Sequence, residues 1–435
     1  MKTVAFHTLG CKVNTYESEA MLKLFANDGY KEVDFKEKAD VYVINTCTVT
    51  NAGDSKSRQM IRKSHRNNPN AVICVVGCYS QVASEEIKTI EGVSIVLGTQ
   101  FRNQVVELVH EYLQTHEQIV RIADVMRSAR FEDLDIDEFT KNTRAFLKIQ
   151  DGCNNFCTYC IIPYARGKMR SRSKESVLSQ AQSLVNHGFS EIVLTGIHTA
   201  GYGQDFDDYS FYDLLVDLTT KVKGLKRLRI SSIEMSQVSE EIMNLIADSS
   251  IIVDHLHIPI QSGNDNTLKR MNRHYTTQEF EQKYFELKKK LPSLSITTDV
   301  IVGFPGETDE DFESTYQWIK KLHFNQLHVF PYSKRKGTPA ARMKDQVDES
   351  VKKQRVKALL DLSHTLMREY AQQQIGKTLE VLIEEKDGDY MIGHASNYLK
   401  VRVKLAEDSV GHIYSVNIKE TDDVILIGEM LSEKD

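Results

Sequence analysis

The stretch AFLKIQDGCNNFCTYC, residues 145–160, decides how the rest of the chain is read. It begins as a short apolar run of strand type. Three cysteines follow, Cys153, Cys157 and Cys160, at spacings of four and three residues. A loop of that length can wrap a single metal centre. Three thiolates are one short of the four protein ligands of a closed zinc site or an ordinary four-iron cluster. The fourth position is left open, and an open iron can take a chelating amine and carboxylate. A zinc knuckle completed by a distant His or Asp is the alternative that the spacing alone leaves standing.

Downstream, five more apolar runs alternate with helical stretches. The runs are EIVLTG, KRLRIS, VDHLHIPI, SITTDVIVGF and NQLHVFP, and the helices are expected near 175–187, 210–222, 237–248, 276–290 and 308–321. Six strand–helix units predict an α/β unit over 144–370, a partial (β/α)6 barrel with its chemistry in the loops after the strands. Upstream, TVAFHT, DVYVINT, AVICVVG and VSIVLG are continuous β-branched runs separated by amphipathic segments. They predict a second α/β unit over 1–125, a parallel sheet with helices on both faces. The acidic stretch RSARFEDLDIDEFTKNT marks a linker at 126–143. A helix is expected over 348–374. Residues 371–435 then alternate every second position with turns between, as in a small five-stranded all-β barrel of OB type.

The chain has 435 residues, 41% of them hydrophobic, enough for two or three domains with cores. Net charge is -6, so any nucleic-acid surface must be local. The start MKTVAFHTLGCKVN reads as a strand rather than a signal peptide, and no apolar run approaches the roughly 20 residues of a bilayer span. A cytoplasmic protein with no membrane association is expected. Seven cysteines in a reducing compartment suggest metal or redox chemistry.

A second set of three cysteines lies in the first unit. Cys11, Cys47 and Cys78 each follow an apolar run, and ligands gather outside the carboxyl ends of parallel strands. Gly10 and Gly77 directly precede two of them and allow close backbone approach. The competing reading is three buried thiols in strand–helix turns. Cys74 lies inside its run and reads as core.

These two sets resemble the radical S-adenosylmethionine (SAM) superfamily and, within it, the methylthiotransferase family, over essentially the whole chain. The resemblance implies two [4Fe-4S] clusters: Cys153, Cys157 and Cys160 hold the one that binds SAM, and Cys11, Cys47 and Cys78 hold an auxiliary cluster that supplies or carries sulfur. SAM would serve both as methyl donor and as radical source, and no side chain is expected to be catalytic beyond cluster-bound SAM and sulfur. It also implies a methylthiotransferase domain, a radical-SAM barrel and a TRAM domain in that order. Tyr159, Thr195, Gly196, Ser231, Glu234, Gln261, Arg273, Ile301 and Gly303 fall where such enzymes contact SAM. Many relatives hold the SAM amine with Gly-Gly-Glu, whereas only Thr195-Gly196 stands here. Ser232 is beside Ser231, and Asp299 occupies a position where glycine is common. Arg273 would pair with the SAM carboxylate, or act as a helix-end cation. Glu234 is alternatively a helix cap. His7, His255 and His257 read as satisfied structural histidines.

Local positive charge points to RNA. Residues 164–174, YARGKMRSRSK, carry five cations and no acid, and 334–377 hold eleven cations against five acids. Arg166, Lys168 and Arg170, together with Lys400 and Arg402 on the strand NYLKVRVK, are the expected RNA contacts, with Lys404 on the same face. Arg58, Arg62 and Arg66 share a helix face. FLKIQDGCNNFCTYCIIPYARGKMRSR is most similar to the branch acting on N6-threonylcarbamoyladenosine, the base 3′ of the anticodon in tRNA. The implied partners are a tRNA anticodon stem-loop, an electron donor such as flavodoxin or ferredoxin, and a sulfur source. Sister branches act on N6-isopentenyladenosine in tRNA or on a ribosomal-protein aspartate. Readings from other classes are a non-catalytic, metal-stabilised RNA-binding protein and a radical-SAM RNA methylase. The set Cys11, Cys47 and Cys78 argues against the methylase.

Overall fold

A computed structural model of the chain describes residues 2–127, 130–134, 136 and 143–434. The first unit has six strands: β1 (Thr3–Thr8), β2 (Lys31–Glu32), β3 (Val41–Thr46), β4 (Val72–Gly77), β5 (Val93–Leu97) and β6 (Ile119–Arg121). They are all parallel, in the order β2-β1-β3-β4-β5-β6. Every residue of β3 and β4 is buried, which explains their unbroken apolar runs. Helices α1 (Lys12–Asn27) and α4 (Val105–Thr115) cover one face. Helices α2 (Asn51–Asn67) and α3 (Cys78–Ile87) cover the other. Val41, Val43 and Cys74 point into the first layer, while Tyr42, Ile44 and Ile73 point into the second, the two-residue alternation of a strand.

The second unit contains β7 (Ala145–Lys148), β8 (Glu191–Thr195), β9 (Arg227–Ile230), β10 (His255–His257), β11 (Ser295–Val302) and β12 (Gln326–Pro331). They form two parallel three-stranded sheets, β9-β8-β7 and β10-β11-β12. A bridge between Leu228 and Ile252 joins the sheets edge to edge. Among the described residues no pairing joins β7 to β12, so the barrel is partial. Capping boxes at Ser210/Asp213, Thr276/Glu279 and Thr308/Asp311 start three of its outer helices.

The helix Glu349–Gln372 packs along β12, where Ser363 Oγ accepts from Leu327 N–H at 3.0 Å. The chain then closes a five-stranded barrel from β13 (Thr378–Asp387), β14 (Tyr390–Ala395), β15 (Lys400–Val403), β16 (Ile413–Asp422) and β17 (Ile425–Glu433). Among the described residues, no helix is long and apolar enough to cross a membrane.

Of the expected linker, residues 128, 129, 135 and 137–142 lie outside the described residues. In the described part, Leu134 and Ile136 are buried in the barrel's core. Glu132 pairs with Arg102 at 2.9 Å and Asp133 with Arg172 at 2.6 Å. The acidic centre of that stretch is therefore counter-charge for buried arginines.

Candidate active site between two cysteine sets

Strands β1, β3 and β4 are neighbours, and a cysteine follows the C-terminal end of each. Cys11 caps α1, Cys47 follows β3, and Cys78 opens α3. Gly10 and Gly77 have φ of +106° and +100°. A Cβ on Gly10 would stand 3.0 Å from Cys47 Sγ, and one on Gly77 would stand 2.7 Å from Thr46 O. Only glycine permits that approach and that backbone. Asn14 Nδ2 donates to Leu9 O (2.6 Å) and Thr46 O (3.1 Å), fixing the Cys11 loop against the Cys47 loop. Burial pushes the Cys78 thiol up to about 12, while Arg166 beside it pulls the other way. A bound metal would displace that proton. Cys74 is fully buried, and burial raises its thiol far above the ordinary range.

The second set lies in the loop after β7. Asn155 N–H points at Cys153 Sγ (3.5 Å), and Arg273 Nη1 at Cys157 Sγ (3.6 Å). Burial raises Cys153 to about 11 and Cys160 to about 12. Gln150 Nε2 donates to Asp151 O (2.9 Å) and Gly152 O (2.7 Å), and its oxygen accepts from His198 N–H (2.8 Å). One glutamine thus ties the cysteine loop to the loop after β8.

Both sets fit a multinuclear cluster better than a single zinc. Tetrahedral zinc with Zn–S near 2.3 Å holds its sulfurs about 3.8 Å apart. Among the described residues, the one group of three donor atoms within 4.8 Å of one another is His257, Asp299 and His328, not either cysteine set. Wider spacing suits thiolates that each take a different iron, and N–H groups aimed at sulfur are what such clusters use.

Tyr159, Cys160, Gln261, Asp299, Ile301 and Phe330 line a cavity of about 240 Å³. Cys11, Lys12, Thr195, Gly196, Ser231 and His257 are among the residues around a larger cavity of about 570 Å³, which also includes Ser232, Asp299 and Phe330. The shared Asp299 and Phe330 make the two cavities neighbours, one reaching Cys160 and the other Cys11.

Three expected cofactor contacts stand otherwise. Arg273 Nη1 pairs with Glu234 Oε1 at 2.9 Å, and its guanidinium lies over the Tyr275 ring at 5.2 Å. Glu234 also caps the turn Met235–Gln237 and accepts from Asn155 Nδ2 at 2.9 Å. Arg273 and Glu234 are thus each other's partners here. Gly303 lines neither cavity: a Cβ there would fall 2.3 Å from Lys352 Cγ, and its N–H donates to Glu307. Of the three histidines expected to be satisfied structural residues, His7 differs. His7 packs on Phe35 and its Nε2 has no hydrogen-bond partner among the described residues. His255 and His257 share Thr297 Oγ1 (3.0 and 2.9 Å) and line the larger cavity.

The cationic run 164–174 is mostly interior, which corrects Arg166 and Arg170 as RNA contacts. Arg166, Arg170 and Arg172 are 0%, 3% and 0% exposed, while Lys168 is exposed. Arg166 pairs with Glu17 (2.8 Å) and Asp151 (3.1 Å), and Arg170 Nη2 donates to Arg166 O (2.9 Å). Lys148 and Arg102 complete this cluster on Glu17 (2.7 and 3.1 Å). Burial raises Glu17, but these three cations outweigh it and hold it at about 2. Arg335 and Arg355 of the second cationic stretch are also buried, on Asp54 (2.5 Å) and Glu307 (2.6 Å). Lys400 faces Glu385 (3.9 Å), and Arg402 faces Asp387 (3.4 Å) and Asp422 (3.1 Å), so acids partly cancel that strand's charge. Lys404 lies over Tyr390, and Arg58, Arg62 and Arg66 line a surface cleft with Glu86 and Glu91.

Sequence reasoning missed Glu17, Asp151, Lys12 and Tyr398. Asp151 directly precedes the Gly152-Cys153 step, a position that could have drawn notice. Tyr398 left no signal: it enters from the C-terminal barrel with φ of +73° and stacks on His255 at 4.7 Å.

Residues 147–319 match the Radical SAM superfamily, and residues 3–98 match Uncharacterized protein family UPF0004. The chain is 55% identical to the threonylcarbamoyladenosine tRNA methylthiotransferase MtaB of Bacillus subtilis, over 96% of this chain and 94% of that one. It is 35% identical to a tRNA-2-methylthio-N(6)-dimethylallyladenosine synthase of Pelotomaculum thermopropionicum, over 89% and 88%. Among solved structures, the radical SAM methyltransferase TsrM from Kitasatospora setae aligns with a TM-score of 0.58 at 13% identity, over 78% of this chain and 74% of that one. At that identity the likeness speaks for the fold alone.

Proposed function

This chain belongs to the radical-SAM methylthiotransferases, and on that premise we propose that it converts N6-threonylcarbamoyladenosine at position 37 of tRNA to 2-methylthio-N6-threonylcarbamoyladenosine. The observation that carries the reading is the pair of adjoining cavities, the smaller lined by Cys160 and the larger by Cys11, which share Asp299 and Phe330. Insertion of sulfur at a purine carbon needs a radical source and a sulfur donor within reach of the same base. The high identity to the Bacillus subtilis enzyme supports the choice of branch.

Cys153, Cys157 and Cys160 would hold the SAM-binding cluster, and Cys11, Cys47 and Cys78 the auxiliary one. When bound, these groups supply one-electron reduction, methyl transfer and sulfur. The chain's own part is to bind and orient. Tyr159, Gln261 and Ile301 shape the smaller cavity for SAM, and Thr195, Gly196 and Ser231 line the larger cavity with Cys11. The Glu17–Arg166–Asp151 cluster holds the two cysteine loops in one register. The target base leaves its stack to enter, as enzymes acting on a base require.

In this reading residues 1–125 are the methylthiotransferase domain, 144–370 the radical-SAM barrel, and 371–435 a TRAM domain that binds the anticodon stem-loop. Lys168 and Lys400 are the remaining candidates for RNA contact, since Asp387 and Asp422 already hold Arg402. The protein works in the cytoplasm with an electron donor such as flavodoxin or ferredoxin and a sulfur source. The isopentenyladenosine branch is the second reading, supported by the lower identity to the dimethylallyl enzyme. Nucleoside mass spectrometry of tRNA from cells lacking the protein tests the proposal. Loss of the 2-methylthio nucleoside with accumulation of its unthiolated precursor is expected, and persistence of that nucleoside would refute the branch assignment.

A further inference from the structure

We propose that Lys12 reads the substrate, by pairing with the free carboxylate of the threonylcarbamoyl group. The inference rests on the substrate named above and goes further by assigning a residue to its recognition. In that nucleoside, threonine is joined through its nitrogen, so its carboxylate is free and ionised at neutral pH. An isopentenyl group carries no charge.

Lys12 is the first residue of α1, directly after Cys11, and both line the larger cavity. On a purine, C2 and C6 flank N1, so the N6 substituent and the carbon that takes sulfur lie on one edge of the base. A group that recognises the substituent must therefore stand beside the place where sulfur is delivered. Lys12 does, being the neighbour of a cysteine of the auxiliary set.

Charge in this corner is unbalanced. Arg144, Arg227 and Arg229 gather at Glu191 and Glu384, and Lys12 lies within electrostatic reach of Arg144, Arg229 and Glu191. Arg227 and Arg229 take Glu191 at 2.9 and 2.7 Å, and Arg144 takes Glu384 at 2.9 Å. Arg144, Arg227 and Arg229 thus occupy both carboxylates, and among the described residues no side chain pairs with Lys12. Across the cavity, Asp299 lies 3.3 Å from His257 and is engaged there. Lys12 therefore presents to the cavity an amine that no described carboxylate holds, and an incoming carboxylate can take it through charge-assisted hydrogen bonds. The geometry of His257, Asp299 and His328 would suit a divalent cation, but Lys12 near His328 opposes a second positive charge there.

The test uses the full chain with both clusters reconstituted under anaerobic conditions. Three anticodon stem-loops are compared: one bearing threonylcarbamoyladenosine, one its methyl ester, and one unmodified adenosine. Binding is read by fluorescence anisotropy and thiolation by mass spectrometry. The wild-type enzyme is expected to prefer acid over ester by roughly 10- to 100-fold in kcat/KM. Lys12→Met should bring that ratio close to one, and Lys12→Arg should keep most of it, showing that the fold survives at this position. An unchanged acid-to-ester ratio in Lys12→Met overturns the assignment of Lys12 alone. So does an equal loss of binding to the unmodified loop, which would mean a phosphate contact. Absence of thiolation of the acid by the wild-type enzyme overturns the substrate reading, and this inference with it.

Discussion

Arg166 Nε lies 3.2 Å from Cys78 Sγ, linking the loop that follows one cysteine set to a member of the other. The same guanidinium donates to Glu17 (2.8 Å), Asp151 (3.1 Å) and Asn14 (2.9 Å). Removing it leaves two buried carboxylates with fewer cations. Arg166→Met should cost about 3–5 kcal/mol in urea unfolding, the usual penalty for breaking a buried ion cluster from one side. Arg166→Lys should recover less than half, because one ammonium cannot span four acceptors.

The two cysteine sets should separate by function. Cys47→Ala is expected to lose about half of the bound iron and all thiolation, while reductant-dependent SAM cleavage persists. Cys157→Ala should lose both activities. Iron analysis and product assays on the same preparations check this, and normal thiolation by Cys47→Ala would remove the auxiliary site from the account.

Cys74 provides a control within the same strand as Gly77. It is fully buried between Val72 and Val76 in one apolar layer. Cys74→Ala should leave iron content unchanged and cost about 1 kcal/mol of stability from lost packing. Loss of iron would show that the thiol does more than fill space.

Acid should loosen the contact between the partial barrel and the C-terminal one. Burial raises the Glu191 carboxyl, but Arg227 and Arg229 outweigh it and hold it at about 2, below its ordinary 4.5. A depressed folded value means that its contribution, on the order of 3 kcal/mol, is complete above about pH 4.5 and is lost as pH falls from there towards 2. Arg229 also donates to Ser396 O (3.1 Å), which carries the effect to the C-terminal barrel. The urea midpoint of the wild-type chain should fall across that window. Glu191→Gln should start lower at neutral pH and fall less steeply, with Glu17 and Asp151 among the carboxylates that still contribute.

Exposed and compensated cations should differ in RNA binding. Lys168→Ala should weaken stem-loop binding and lower the salt slope by about one. Arg402→Ala should change little, since Asp387 and Asp422 already hold that guanidinium. Anisotropy titrations over a salt series distinguish the two, and equal slopes would contradict the assignment.

What the sequence determined by itself is what local pattern and spacing can carry. Six apolar runs separated by amphipathic stretches suffice for the partial barrel, because each strand and helix is specified within its own dozen residues. The cysteine spacing of 153–160 likewise defines one loop. Even the distant set Cys11, Cys47 and Cys78 was legible, since a parallel sheet brings the ends of its strands to one edge. The tertiary structure decided which charges face water and which face each other. Arg166 and Lys168 stand two apart in one basic run, yet one is buried on Glu17, 149 residues away, and the other is exposed. Lys12 looks like any helix-start lysine until Arg144, Arg229 and Tyr398 arrive from three other segments. A charge's partner is set by packing across the whole fold, and no short-range pattern in the chain encodes it.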